Sequence, residues 1–354
     1  MVRIIAEAGV NHNGNREMAF ELVKVAADAG ADAVKFQTFN AERLAALTAP
    51  KAKYQQTTTD AFETQLAMLK KLELPTAWHA ELQQYATDLG VTFISTAFDL
   101  QSLAFLQTLD LPYYKIPSGE ITNGPLLLAF AQTGKELIIS TGMATLSEIE
   151  QALAVVAFGY AHKAEPENLD QVWRYWSAPG VQASLGGRVS LLHCTSQYPT
   201  PMEEVNLKAI GTLANAFGLP VGYSDHTQGL VVPTAAVAMG ATIIEKHFTL
   251  DRTLPGPDHN ASLEPGELTE LVNNVRSVEL ALGDGIKKPQ PSEWDTRKAA
   301  RQQVIFSETV EEGEIIQRSA LSTARCGRGA SPMTLWDIVG KPAPQAYQKG
   351  DVPE

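Results

Sequence analysis

Three sets of polar residues in this chain have the types and spacing to do chemistry. Lys35 and Lys115, with Ser118 and Ser140, form a basic, hydroxyl-rich set. A lysine withdrawn from water needs an anion to offset its lost hydration, so a phosphate or carboxylate ligand fits this set. Internal ion pairs with Glu7 and Glu120 would meet the same need. His226 and His247 form the second set, with Asp225, Glu245 and Asp258 nearby in sequence. Two imidazoles on adjacent elements can share one divalent metal and leave coordination positions open for substrate. Nitrogen and oxygen donors together suit Mn²⁺, Fe²⁺ or Zn²⁺, and Mg²⁺ less well. Glu7 and Glu120 make the third set, either an acid/base pair or the neutralising partners of the lysines.

These sets act together only if the fold gathers them. Eight short apolar runs alternate with longer amphipathic segments: 3–10, 32–39, 91–98, 113–119, 136–142, 189–196, 221–226 and 242–248. Gly30, Gly90, Gly134, Gly159 and Gly240 stand where the intervening helices would stop, as glycines after a helix end do. Strand-then-helix repeated about eight times predicts a parallel α/β fold, and the repeat number favours a closed (β/α)₈ barrel over an open sheet. The polar residues cluster at the C-terminal end of each run. These are Glu7 with Asn11, His12 and Asn13; Lys35 and Gln37; Lys115, Ser118 and Glu120; and Ser140 and Thr141. The later runs add His193, Thr195, Ser196 and Tyr198; Ser224, Asp225 and His226; and Glu245, Lys246 and His247. In a barrel those ends converge on one mouth, where barrel enzymes place their sites.

Two segments break the rhythm. Residues 161–187, rich in Pro and Gly with two tryptophans, read as a surface insertion or lid whose tryptophans pack the insertion. The predicted catalytic barrel covers 1–283, and the charged, proline-containing 284–300 read as a linker. Residues 301–354, with runs such as QVIFS and the glycine-rich RCGRGASP, predict a small, mostly β domain. Such a short module can bury little core alone.

The chain has 354 residues and a formal net charge of −12, which argues against nucleic acid as the main partner. Two cysteines, Cys194 and Cys326, are too few for a disulfide framework. Neither a signal-peptide pattern nor an apolar run of the ~20 residues that span a bilayer is present. The expectation is a soluble cytoplasmic protein that acts on no membrane.

The segments IAEAGVNHNG, GADAVKFQTF, STAFD, KIPSGEITN, IISTGMAT, LLHCTSQYPTP, VNLKAI, GYSDHT and EKHFTLDRTLPGPDHNASLEP resemble, in that order, the N-acetylneuraminate (sialic acid) synthase family. Residues 301–354 resemble that family's small antifreeze-like (SAF) domain. The resemblance implies condensation of phosphoenolpyruvate (PEP) with an open-chain 2-acetamido sugar. N-acetylmannosamine is the first expectation, giving N-acetylneuraminate and phosphate by C–O cleavage. The alternative is a legionaminate- or pseudaminate-type synthase acting on a different 2-acetamido sugar. It further implies a divalent metal on His226 and His247, Mn²⁺ first with Mg²⁺ or Co²⁺ as alternatives. PEP would be bound by Lys35, Lys115, Ser118, Ser140, Ser196 and Ser224, and the catalytic carboxylates would be Glu7 and Glu120. Sugar contacts would come from Gln37, Tyr198 and Asp258, and from Arg325 of a partner subunit's antifreeze-like domain in a domain-swapped homodimer. This chain has Ser196 where some members have asparagine, and Arg325-Cys326-Gly327 where the family often has Arg-Pro-Gly.

Overall fold

Runs dominated by Ile, Val, Phe, Ala and Leu form eight parallel strands in a computed structural model that describes residues 1–52, 55–56, 59–60 and 63–353. They are β1 (Arg3–Gly9), β2 (Ala33–Thr38), β3 (Thr92–Ala97), β4 (Tyr113–Ile116), β5 (Glu136–Ser140), β6 (Val189–His193), β7 (Val221–Asp225) and β8 (Ile243–His247). Their order is β3-β2-β1-β8-β7-β6-β5-β4. β1 pairs with both β2 and β8, so the sheet closes on itself except at the seam between β3 and β4, where no ladder forms. The sequence-predicted (β/α)₈ architecture is the one observed.

The strands keep a strict two-residue alternation. One set of side chains, including Ile4, Val34, Phe93, Tyr114, Ile139, Leu191, Tyr223 and Ile244, points outward into a core shared with the helices. The other set, Ile5, Ala33, Ile94, Tyr113, Ile138, Leu192 and Ile243, fills the lumen. On β7 the lumen position is Gly222. A Cβ there would lie 2.6 Å from Leu192 Cδ2 and 2.7 Å from Ile243 Cβ. Glycine is what lets this layer close.

The main covering helices are α1 (Arg16–Asp28), α2 (Ala41–Leu44), α3 (Gln65–Leu72), α4 (Thr76–Asp88), α5 (Leu100–Gln107), α6 (Gly124–Gln132), α7 (Leu146–Ala161), α8 (Leu169–Trp176), α9 (Ala209–Phe217), α10 (Val231–Ala238) and α11 (Pro265–Leu282). Side-chain caps start several of them: Asn15 for α1, Asp99 for α5, and a Thr145–Glu148 capping box for α7. The 161–187 segment is more ordered than a lid. It carries α8, whose Trp176 is buried and donates its indole N–H to Glu150 on α7 at 3.1 Å. None of its residues lines the cavity described below. Its tryptophan packs, as expected, but on the outer helix layer.

The chain divides into two compact units, Met1–Gly283 and Asp284–Glu354. Residues 284–300, expected as a linker, include the helix α12 (Trp294–Ala300) and cluster with the C-terminal unit. That unit pairs β9 (Gln303–Phe306) antiparallel with β10 (Leu321–Ala324) and has a short helix, α13 (Leu335–Ile338). Its own small core includes Val304, Phe306, Val310, Leu321 and Tyr347, with the Phe306 and Tyr347 rings stacked at 4.3 Å. Among the described residues no helix is long and apolar enough to cross a membrane.

Candidate active site

The alternation that fills the lumen also builds the site. Two residues beyond each apolar lumen residue the chain places a functional one. Ile5 leads to Glu7, Ala33 to Lys35, Ile94 to Thr96, Tyr113 to Lys115 and Ile138 to Ser140. Leu192 leads to Cys194, Gly222 to Ser224 and Ile243 to Glu245. Two further residues along, β2 presents Gln37, β7 continues into His226 and β8 ends in His247. All of these line one cavity of about 300 Å³. Ser118, Ser196, Tyr198 and Asp258 join them from the loops.

Four buried charges form its floor. Lys35 Nζ lies 2.7 Å from Glu7 Oε2 and 3.7 Å from Glu245 Oε2. Lys115 Nζ lies 3.1 Å from Glu245 Oε1, which also accepts from Ser224 Oγ at 2.9 Å. Glu245 is thus the common counter-ion of both lysines. Burial pushes its carboxyl up, but Lys115 and Lys35 outweigh this and hold it down at about 2. For Lys35, burial pulls downward while Glu245 and Glu7 more than reverse it, so the ammonium stays charged. Glu7 is pushed up by burial, and by the charge of Glu245, against the pull of Lys35. Its Oε1 accepts from Gln37 Nε2 at 3.1 Å.

Above this floor sit the histidines, with ring centroids 5.7 Å apart, and the Tyr198 ring lies tilted 4.0 Å from that of His226. Burial holds both rings neutral: His226 falls to about 4, and His247 falls well below the usual range. His226 Nδ1 donates to the Thr195 carbonyl at 2.7 Å, which leaves the Nε2 lone pair available. His247 Nδ1 is buried with no hydrogen-bond partner, and Asp258 Oδ2 stands 3.8 Å away. Among the described residues no cluster of three or more His, Cys, Asp or Glu side chains makes a complete metal site. The pair alone still suits a divalent cation: two neutral imidazoles, one with an orphaned buried nitrogen, and oxygen donors beside them. Burial, with a further push from Glu7, raises Asp258 to about 7.

A hydroxyl wall completes the cavity. Ser118 Oγ accepts from the Gly142 N–H at 3.0 Å and contacts Cys194 Sγ at 3.1 Å. A Cβ on Gly142 would come within 2.8 Å of both Cys194 Sγ and Ser118 Oγ. Ser140 Oγ is buried without a partner. A hydroxyl left so has a donor for an incoming anion.

Not every sequence-predicted residue arrives here. Glu120 is absent from the described lining; it sits in the turn Ser118–Glu120 and accepts from Asn123 Nδ2 at 2.7 Å. Its expected pairing with a lysine is made instead by Glu245. Asp225, Lys246 and His193 fall on the outward face of their strands. Asp225 and Lys246 form a fully buried ion pair at 2.6 Å, and His193 bonds the Val205 carbonyl at 2.8 Å. His12 is buried away from the lining as well. Arg325 lies exposed in the C-terminal unit, directly after β10. Thr96 and Cys194 were passed over in the sequence, although the two-residue count from Ile94 and Leu192 points to them.

An eight-stranded parallel barrel with its ionisable groups gathered at the C-terminal strand ends defines an enzyme. The profile of the NeuB family matches residues 22–287, and the chain belongs to that family. It is 45% identical over 349 residues to the N,N'-diacetyllegionaminic acid synthase of Campylobacter jejuni, covering 99% of this chain and 98% of that protein. It is 47% identical over 337 residues to the enzyme of the same name from Legionella pneumophila, covering 95% and 89%. The crystal structure of N-acetylneuraminic acid synthetase from Leptospira borgpetersenii, in complex with citrate, superposes with a TM-score of 0.69 at 34% identity, over 83% of this chain and 90% of that one.

Proposed function

We propose that this enzyme is an N,N'-diacetyllegionaminic acid synthase, joining PEP to the open-chain aldehyde of a six-carbon diacetamido sugar with release of phosphate. The observation that carries the choice of sugar is the 45% and 47% identity, over nearly full length, to two synthases of that name, against 34% for the sialic acid synthetase. The alternative of the sequence reading is thus favoured over N-acetylmannosamine.

The lining supports the chemistry. Lys35 and Lys115, with the hydroxyls of Ser118, Ser140, Ser196 and Ser224, hold the carboxylate and phosphate of PEP. The citrate in the Leptospira relative is likewise a polyanion. A divalent cation on His226 and His247 supplies Lewis-acid polarisation of the aldehyde oxygen when bound. PEP C3 attacks the aldehyde carbon, and the former aldehyde oxygen takes up a proton. Asp258, whose Oδ2 lies 3.8 Å from His247 Nδ1, is placed to give it. Water adds at C2 with Glu7 taking one of its protons; the C2–O bond to phosphate then breaks, and the C2 hydroxyl proton goes to the departing phosphate as the C2 ketone forms. Gln37 and Tyr198 orient the sugar. The antifreeze-like assignment of the C-terminal unit, with Arg325 serving a partner subunit's sugar, belongs to the same proposal.

The test is phosphate release with PEP, Mn²⁺ and a panel of aldehyde sugars. The diacetamido hexose should have the highest kcat/KM. Preference for N-acetylmannosamine would refute the assignment.

A further inference from the structure

A second cavity of about 290 Å³ adjoins the catalytic one, and Met68, Leu72 and Pro257 wall both. On its far side stand Asn13, Thr59, Glu63 and Lys71. The polar groups there already satisfy one another. Lys71 Nζ donates to Glu63 Oε2 at 2.6 Å. Asn13 Nδ2 donates to the Pro255 carbonyl at 2.9 Å, and its Oδ1 faces His259 Nε2 at 3.2 Å. Thr59 Oγ1 donates to the Gln55 carbonyl at 2.6 Å and accepts from Lys51 Nζ at 2.8 Å. Among the described residues Lys71 is matched against Glu63, and Lys51, close by, also lies 3.7 Å from Glu63. A charged phosphate would find no cation among the described residues there that lacks a carboxylate partner, whereas a neutral group with a methyl would lie against Met68, Leu72 and the prolines.

We infer that this cavity receives the second acetamido group of the sugar and so sets the choice between a diacetamido sugar and N-acetylmannosamine. The inference rests on the function proposed above. A sugar whose aldehyde meets Glu7 and the histidines, and which touches Asp258, runs along the neighbouring Pro257, the wall common to both cavities. Its far carbons therefore reach the second cavity. An acetamido group is neutral and carries one methyl, one donor and one acceptor. The methyl is what Met68, Leu72 and the prolines accept, since the polar groups there are already paired.

The test uses the full-length protein with PEP and Mn²⁺, and compares kcat/KM for a diacetamido hexose, N-acetylmannosamine and N-acetylmannosamine 6-phosphate. Thr59→Phe and Lys71→Trp narrow the second cavity from different segments. Lys71 has a side chain 69% exposed, so its replacement leaves the core untouched. Both variants should lose about tenfold or more on the diacetamido sugar and change N-acetylmannosamine by less than about twofold. Wild type should reject the phosphorylated sugar. Equal loss on both acetamido sugars, or loss on neither, overturns the inference while the proposed function stands. A wild type that prefers N-acetylmannosamine removes the proposed function and this inference together.

Discussion

Glu245 faces both lysines of the cavity floor from the strand next to Glu7, and its charge is what lets two ammonium groups stay buried. Removing one partner of a buried pair costs about 3–5 kcal/mol, because the charges left behind have lost their compensation. Glu245→Gln should therefore destabilise the ligand-free protein by that order in urea unfolding. Its floor would then be more positive, so PEP or inorganic phosphate should raise the Tm of the variant more than that of wild type. Equal shifts would mean that Glu245 does not balance the lysines. Proximity to His247 suggested Glu245 only as a metal neighbour, because its pairing with Lys35 and Lys115 is made across the lumen between distant segments. Glu120, by contrast, has the right spacing on its run, but a tight turn carries it past the cavity. A second residue-scale consequence concerns pH. His12 and His79 are buried neutral, each lowered by burial to about 4. The unfolded chain protonates them near 6.5, so protons favour unfolding between those values. Stability that is complete above pH 6.5 should fall as pH drops toward 4, by up to about 3 kcal/mol per histidine. His79→Gln should flatten that slope by about one proton, read from urea unfolding at a series of pH values.

At the scale of elements, the eight strands were legible because each is a short apolar run bounded by turn residues. The face of each side chain follows from the two-residue period once the lumen layer is known. The sequence alone left the phase open at β7 and β8. Asp225, Lys246 and the histidines all sit together at the strand ends, and only the lumen positions of Gly222 and Ile243 decide that His226 and His247 turn inward. Their outward neighbours then have a mechanical part. Asp225 and Lys246 are register partners on β7 and β8, and the pair is fully buried. Lys246 Nζ also donates to the Thr227 carbonyl, and Asp225 Oδ1 accepts the Thr227 N–H at 2.9 Å. The backbone on either side of His226 is thereby fixed to the strand that bears His247. Lys246→Met should cost about 3–5 kcal/mol by leaving Asp225 uncompensated. The double variant Asp225→Leu/Lys246→Met should recover much of that loss. A double variant no more stable than the single would show that the pair is not what the site depends on. The helix within 161–187 was not legible for a different reason. The segment's Pro and Gly residues mark loops, but they flank the eight-residue helix α8, whose apolar face is too short to stand out in composition.

At the scale of the whole molecule, the barrel carries nearly all of the cavity's chemistry, and the proposed role of Arg325 is the part that needs a second chain. The C-terminal unit has a core of few residues, Arg325 follows β10 on its exposed surface, and the family resemblance assigns that arginine to a partner's sugar. A guanidinium has donors suited to an amide carbonyl, and leaving such a group unpaired costs about 1–3 kcal/mol. Arg325→Ala should therefore weaken the sugar about tenfold or more and spare PEP. His226→Ala should abolish turnover through the barrel itself. Mixing the two variants separates the arrangements. In an exchanged dimer, the barrel lacking His226 receives the unit lacking Arg325, and both lesions fall on one site. The other barrel keeps its histidine and receives an intact arginine, so each mixed dimer should show about half of wild-type activity. If each chain serves its own barrel, one site lacks His226 and the other lacks the arginine. Activity then stays near that of the variants alone. Sedimentation at working concentration gives the companion measurement, since a monomeric enzyme with full activity would leave no second chain to supply the arginine.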